Sequence, residues 1–297
     1  MIRKMGYTAS DRLLIIHADD FGITQGTNEA IVNLFEEQSI TSASIMIPCP
    51  DSAEAMELSK RSGITNIGIH LTLTSDESNP YTPVCATRKL TSLITAEGCF
   101  HADVSFFERN ADEQEVLLEM EAQIQKAISQ GIDPTHLDSH AGSVMGLFAG
   151  RDFLEPAFDL CGKYRLPFLL PARAAEQPFF NPAQQAMFQN RIASANERGI
   201  LLIDDIVSLP YCCTPVVAYG KMKQQLAEII KNTKPGITQL TLHPARITDR
   251  LRTITSCYSE RELEYRLLND PDMQQLIDRE RITLISWKDL RDLQRSM

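Results

Sequence analysis

The run RLLIIHA at residues 12–18, closed by Asp19 and Asp20, constrains the fold more than any other stretch. Continuous apolar residues without polar alternation read as a strand covered on both faces, the habit of parallel sheets with helices packed on each side. The pattern then alternates. Residues 25–37 predict a helix with Ala30, Ile31, Leu34 and Phe35 on one face, and 42–48 (SASIMIP) a second strand. Asp51 with Glu54 resembles a capping box opening a helix that Gly63 would end. Residues 67–73 (IGIHLTL) read as a third strand.

A polar stretch over 74–110 follows, long enough to be functional or to hold small elements of its own. Residues 112–130 predict a helix with Val116, Met120, Ile124 and Ala127 aligned and Gly131 at its end. THLD (135–138) is a short strand and SHAGSVMG a turn-rich loop. Beyond it we expect helix 152–163, strand 167–170, a loop and helix over 171–190, strand 201–209, helix 217–232 and strand 237–243. Ser259 and Glu262 suggest a second capping box before a helix ending near Asn269. ITLISW (282–287) closes as a strand and KDLRDLQ as a helix. About seven strands alternating with helices predict an α/β fold, a single distorted (β/α) barrel occupying residues 1–297.

Composition narrows the function. The net charge of −10 comes without any block of Lys and Arg, which argues against a nucleic-acid partner and an anionic membrane surface. No apolar stretch approaches the roughly 20 residues of a membrane span, and the first strand is cut too early by His17, Asp19 and Asp20 to serve as a secretory signal. Seven cysteines at scattered spacings, with no CxxC, read as reduced thiols of a cytoplasmic protein. A homodimer is compatible with the sequence.

The ionisable residues gather at strand ends. Asp19 and Asp20 end the first strand, His70 lies in the third, His136, Asp138 and His140 surround the fourth, and His243 closes the strand at 237–243. In a β/α barrel the C-terminal strand ends meet at one mouth, where active sites lie. Each residue alone has a plainer explanation: a solvated turn for the Asp pair, a hydrogen-bonded core role for His70, a strand-terminal kink for His243 before Pro244. Neighbouring strand residues point to opposite faces, so Asp19 and Asp20 reach one mouth together only if the backbone turns there. Side by side they repel unless a cation lies near. His140, beyond the strand end, is the better candidate ligand, with His136 as buried support and Asp138 orienting an imidazole. His17 is expected to share a face with Asp19. Arg173 is a candidate to pair with Asp19. No GxSxG elbow, Walker loop or GxGxxG competes.

In this order, HADDFG (17–22), IGIHLTL (67–73), PTHLDSH (134–140), LHPA (242–245) and LISWKDL (284–290) resemble the YdjC-like carbohydrate deacetylases, which include enzymes acting on chitooligosaccharides. The resemblance implies a distorted barrel related to the polysaccharide deacetylases. It implies one metal ion on Asp20, His70 and His140, with Asp19 as general base and His243 as general acid; carboxylates and imidazoles together suit Mg²⁺, Mn²⁺, Zn²⁺ or Co²⁺, with Mg²⁺ or Zn²⁺ the expected choice. The implied reaction removes an N-acetyl group from an amino sugar or short chitooligosaccharide, phosphorylated or not. Family members active on chitooligosaccharides often continue HLDSH with further histidines; here the continuation is AGSVMG, which changes the neighbouring pocket wall. Two other readings stand beside this one. A metal-dependent sugar-phosphate hydrolase would bring Arg or Lys to clamp the phosphate, and no such cluster accompanies the motifs. A catalytically inactive carbohydrate-binding protein would not need Asp19 and His243.

Overall fold

The computed structural model describes residues 1–297 apart from 77, 87, 88, 214 and 215. The three positions 77, 87 and 88 belong to the long polar stretch anticipated at 74–110. Among the described residues, seven parallel strands form one sheet: β1 (Arg12–Phe21), β2 (Ser42–Ile45), β3 (Ile67–Leu71), β4 (Leu137–Ser139), β5 (Asp205–Ser208), β6 (Gly236–Leu242) and β7 (Thr283–Leu284). The spatial order is β4-β3-β2-β1-β6-β5, with β7 pairing the start of β1 at Leu13 and Leu14. The sheet curls until its ends nearly meet. Residues 167–172 fill the gap: Leu169 N donates to Leu137 O (2.9 Å) on the β4 side, and Ala172 N donates to Ile203 O (2.8 Å) on the β5 side. Single bridges thus stand where a regular barrel would have a strand, which is the distortion the sequence implied.

Helices cover the outside: α1 (Gln25–Glu36), α2 (Ser52–Arg61), α3 (Val104–Asn110), α4 (Glu113–Ser129), α5 (Leu154–Tyr164), α6 (Pro182–Glu197), α7 (Tyr219–Lys231), α8 (Asp249–Ile254), α9 (Tyr258–Leu268), α10 (Pro271–Arg279) and α11 (Trp287–Ser296). The expected face of α4 (Val116, Met120, Ile124, Ala127) is fully buried, so its apolar stripe packs on the sheet as the 3.6-residue period requires. No helix among the described residues is long and apolar enough to cross a membrane.

Inside the curl the side chains form layers. At the base, Leu13, Ile15, Leu169, Ile203, Ile237 and the only tryptophan, Trp287, pack together. Two residues further along β1 and β6, on the same face, come His17 and Gln239; Gln239 accepts a hydrogen bond from the Trp287 indole N–H at 2.6 Å. Further on lies the mouth.

Several expectations need correction. The capping boxes do not form: Asp51 makes no side-chain cap, and Glu54 instead accepts from Asn28. α9 starts at Tyr258, two residues early, and Glu262 accepts from the Ile247 amide. A tertiary donor was a better partner than the local amide in both cases. The strands expected at 167–170 and 282–287 shrink to isolated bridges and two residues, because Ser286 and Trp287 are taken as the cap and first turn of α11. α3, α8 and α10 were not anticipated. The 74–110 stretch carries α3 and buries Tyr81, Leu93 and Phe100, so much of it is packed structure. Cys212 and Cys257 form a disulfide with their Cα atoms 5.0 Å apart, against the expectation of reduced thiols throughout.

Candidate metal centre

The Asp19-Asp20 pair reaches the mouth through a local break in β1. Ala18 pairs with Ala43 and Phe21 with Ile45, so Asp19 and Asp20 together stand opposite the single residue Ser44. This is a β-bulge, which re-aims side chains. Asp20 takes the left-handed conformation (φ 66°) that Asp tolerates better than most residues. The turn needed to bring both carboxylates to one side is therefore present.

Asp20 Oδ1 lies 3.6 Å from His70 Nε2 and 3.5 Å from His140 Nδ1. These separations exceed the roughly 2.7–2.9 Å of a good charge-assisted hydrogen bond. They suit donors sharing one ion, since ligands about 2.0–2.2 Å from a common centre stand roughly 3–3.5 Å apart. One carboxylate and two imidazoles are also a donor set that divalent ions accept. The residues present thus fit a divalent ion. Two other His/Asp sets converge among the described residues, His17–His136–Asp138 and Asp19–His70–Asp138. Their members other than Asp19 and His70 have no exposed surface, whereas His140 remains 9% accessible.

The surroundings hold the set in place. Asp138, register partner of His70 across β3 and β4, places Oδ1 2.9 Å from His70 Nδ1. That contact fixes which imidazole nitrogen faces Asp20, the orienting role expected of Asp138. Asp20 Oδ2 accepts from the Arg261 guanidinium at 2.6 Å. Burial opposes the Asp20 charge, but Arg261 and the imidazoles hold its carboxyl well below the usual range. Burial likewise opposes a charge on His140, yet Asp20 and Asp76 outweigh it and raise the imidazole to about 10.

Asp19 stands next to His70 in the mouth. Its Oδ1 is 3.1 Å from His17 Nε2 and its Oδ2 is 3.7 Å from His243 Nε2. His17 shares the Asp19 face as expected and is fully buried; despite burial, Asp138 and Asp19 raise it to about 9. Burial lowers His243. Its ring stacks on Tyr211 at 4.4 Å, and its backbone N–H donates to Glu264 at 2.6 Å. His136 stays in the interior, stacked on Trp287 at 4.6 Å, which agrees with a supporting role.

One pairing is corrected. Arg173 does not reach Asp19: it donates to Asp205 (3.4 Å) and to Pro235 O (2.9 Å), which precedes β6 at the end away from the mouth. The guanidinium at the acidic pair is Arg261 on α9, and no motif marked it. Ser44, Tyr211 and Glu264 were missed for the same reason: each is an ordinary residue in an ordinary element, and only the tertiary fold brings it here. His101 lies outside the cluster, against Phe106 at 4.5 Å.

Comparisons with known proteins agree with this architecture. A family described as YdjC-like protein matches residues 13–279. A carbohydrate deacetylase of Thermoanaerobacter pseudethanolicus is 27% identical over 94% of this chain and 100% of its own length. One from Enterococcus faecalis is 27% identical over 95% of this chain and 99% of its own. Among solved structures, a provisionally described cellobiose-phosphate cleavage protein of Enterococcus faecalis V583 superposes with a TM-score of 0.78 at 26% identity, covering 95% of this chain and 99% of that one.

Proposed function

The chain belongs to the YdjC-like protein family, and from that premise we propose that it is a metal-dependent hydrolase that removes N-acetyl groups from amino sugars or short chitooligosaccharides. The observation that carries this reading is the division of the mouth. Asp20, His70 and His140 face one point, while Asp19 and His243 stand 3.7 Å apart beside it. The carbohydrate deacetylases that align over nearly the whole chain support the substrate class.

We assign Asp20, His70 and His140 as the residues that hold a divalent ion, Mg²⁺ or Zn²⁺. Such an ion supplies Lewis acidity toward the amide carbonyl and toward water. Asp19 takes the proton from the attacking water. Its contact with His17 orients one oxygen and leaves the other facing His243. His243 delivers a proton to the leaving nitrogen, and its lowered basicity makes it a stronger acid once protonated. General acid-base groups of this kind contribute about 10²–10⁴-fold each. The C–N bond breaks, and carboxylate and free amine result. Arg261 and Asp138 are positioning residues.

The reading is tested by stripping the protein of metal, reloading it with Mg²⁺, Mn²⁺, Co²⁺ or Zn²⁺, and assaying N-acetylglucosamine, chitobiose and their phosphates. Acetate release with about one ion per chain is expected. Phosphate release without acetate would point to a sugar-phosphate hydrolase, and binding without either product to an inactive carbohydrate-binding protein.

A further inference from the structure

A cavity of about 510 Å³ opens beside Asp19 and His70. That size falls in the range of about 300–1,000 Å³ that takes a drug-sized ligand. Its polar groups include Asp19, His70, Ser139 and Thr241 around the reacting end. A large part of the remaining wall is apolar: Met145, Leu147, Leu170, Phe179, Phe180 and Phe188. Met145 and Leu147 belong to the loop after β4, Phe179 and Phe180 precede α6, and Phe188 lies within it. The three rings form a row, with centroids 4.5 Å apart between Phe179 and Phe180 and 4.9 Å between Phe180 and Phe188. Gln184 of α6 donates to Leu147 O at 3.4 Å, which ties the two sides of the wall together.

Phe179 is 74% exposed, more than any other large apolar residue among those described. A row of apolar side chains at a cavity rim marks a binding surface. Aromatic rings can stack on the C–H faces of a pyranose, and Gln177, Asp205 and Lys234 add polar lining elsewhere in the cavity, but Met145, Leu147 and the phenylalanine row offer no donor or acceptor to sugar hydroxyls that lose water on entering. We propose that the amino sugar accepted here carries an apolar group, an acyl chain longer than acetyl or an alkyl or aryl aglycone, seated against Met145, Leu147, Phe179, Phe180 and Phe188. The inference rests on the proposed deacylation. In that reaction water's oxygen joins the acyl carbon, its proton ends on nitrogen, and the C–N bond breaks, whatever the apolar group.

The test measures amine release by metal-replete protein from N-acetylglucosamine, chitobiose, N-butyryl- and N-octanoylglucosamine, and the octyl and phenyl glycosides of N-acetylglucosamine. One arm should exceed N-acetylglucosamine at least tenfold in kcat/KM, rising by about fourfold per buried methylene at first. A rise with acyl length assigns the wall to the acyl chain; a rise with the glycosides assigns it to the aglycone. Phe180→Ala and Leu147→Asn should bring the ratio of apolar to parent substrate back toward one, with thermal melts confirming that at least one variant folds. If N-acetylglucosamine or chitobiose remains the best substrate and neither variant moves the ratio, the apolar wall is not a substrate site, although the deacetylase reading survives. If no substrate releases amine, that reading fails, and calorimetry with octyl glucosaminide then decides the wall. Binding no tighter than glucosamine, or unaffected by Phe180→Ala, would overturn it.

Discussion

From β1 to β4 the barrel is built of strands paired over several residues, whereas from 141 to 208 single bridges, loops and one short strand close it. The first region holds Asp19, Asp20, His70 and Asp138, fixed by strand register, a bulge and mutual contacts. The second supplies the apolar wall. Of the residues proposed to hold the ion or move protons, Asp19, Asp20 and His70 thus sit on the paired strands, while His140 directly follows β4 and His243 follows β6. The wall, which sets what fits, sits on loops that tolerate change. The replacement of further histidines by AGSVMG falls on this second side, so the wall differs while the metal-ligand candidates stay.

The two regions should respond differently to substitution. Gly68→Ala should have the largest effect. A Cβ there would come within 2.3 Å of the His136 ring, which is itself fully buried. Overpacking at that point should cost about 3 kcal/mol in denaturant unfolding; a loss below 0.5 kcal/mol would show that the interior is looser than described. Asp138→Asn should come next. The His70 ring would lose its orienting carboxylate, and metal affinity measured by calorimetry should fall about 10–100-fold.

Glu264→Gln tests the mouth through pH. Burial raises Glu264 from an ordinary 4.5 to about 8. The folded protein keeps it protonated between those values while the unfolded chain ionises. Its stabilising contribution is therefore complete below about 4.5 and is lost as pH rises through about 8, with a slope of at most about 1.4 kcal/mol per pH unit. Glu264→Gln keeps an acceptor for the His243 amide and should flatten stability over that window; an unchanged slope would count against the protonated state. Phe148→Ser should matter least. The side chain is 59% exposed in the second region, and its replacement should stay within about 0.5 kcal/mol.

The same contrast explains what the sequence made legible. Strands buried on both faces leave apolar runs, so β1, β3 and β6 could be read directly, and the polar residues that interrupt or end them stood out. Asp19, Asp20, His70, His140 and His243 all reach the mouth. The closing segment at 167–172 makes isolated bridges, which impose no periodicity and so left its strand overdrawn. Arg261 was invisible because a lone arginine on a helix has the same local pattern whether it meets solvent or Asp20. Asp51 and Ser259 carried genuine cap signals that Asn28 and Ile247 overrode by offering or demanding hydrogen bonds across the fold.

We propose that the Asp pair divides its work, Asp20 in the metal set and Asp19 in proton transfer. Metal content and acetate release should therefore be measured together for Asp19→Asn and His70→Ala. Asp19→Asn is predicted to retain about one ion per chain while acetate release falls at least about 10²-fold; His70→Ala is predicted to lose both. Acetate release by Asp19→Asn at the unaltered rate, or full metal occupancy in His70→Ala, would contradict the assignment.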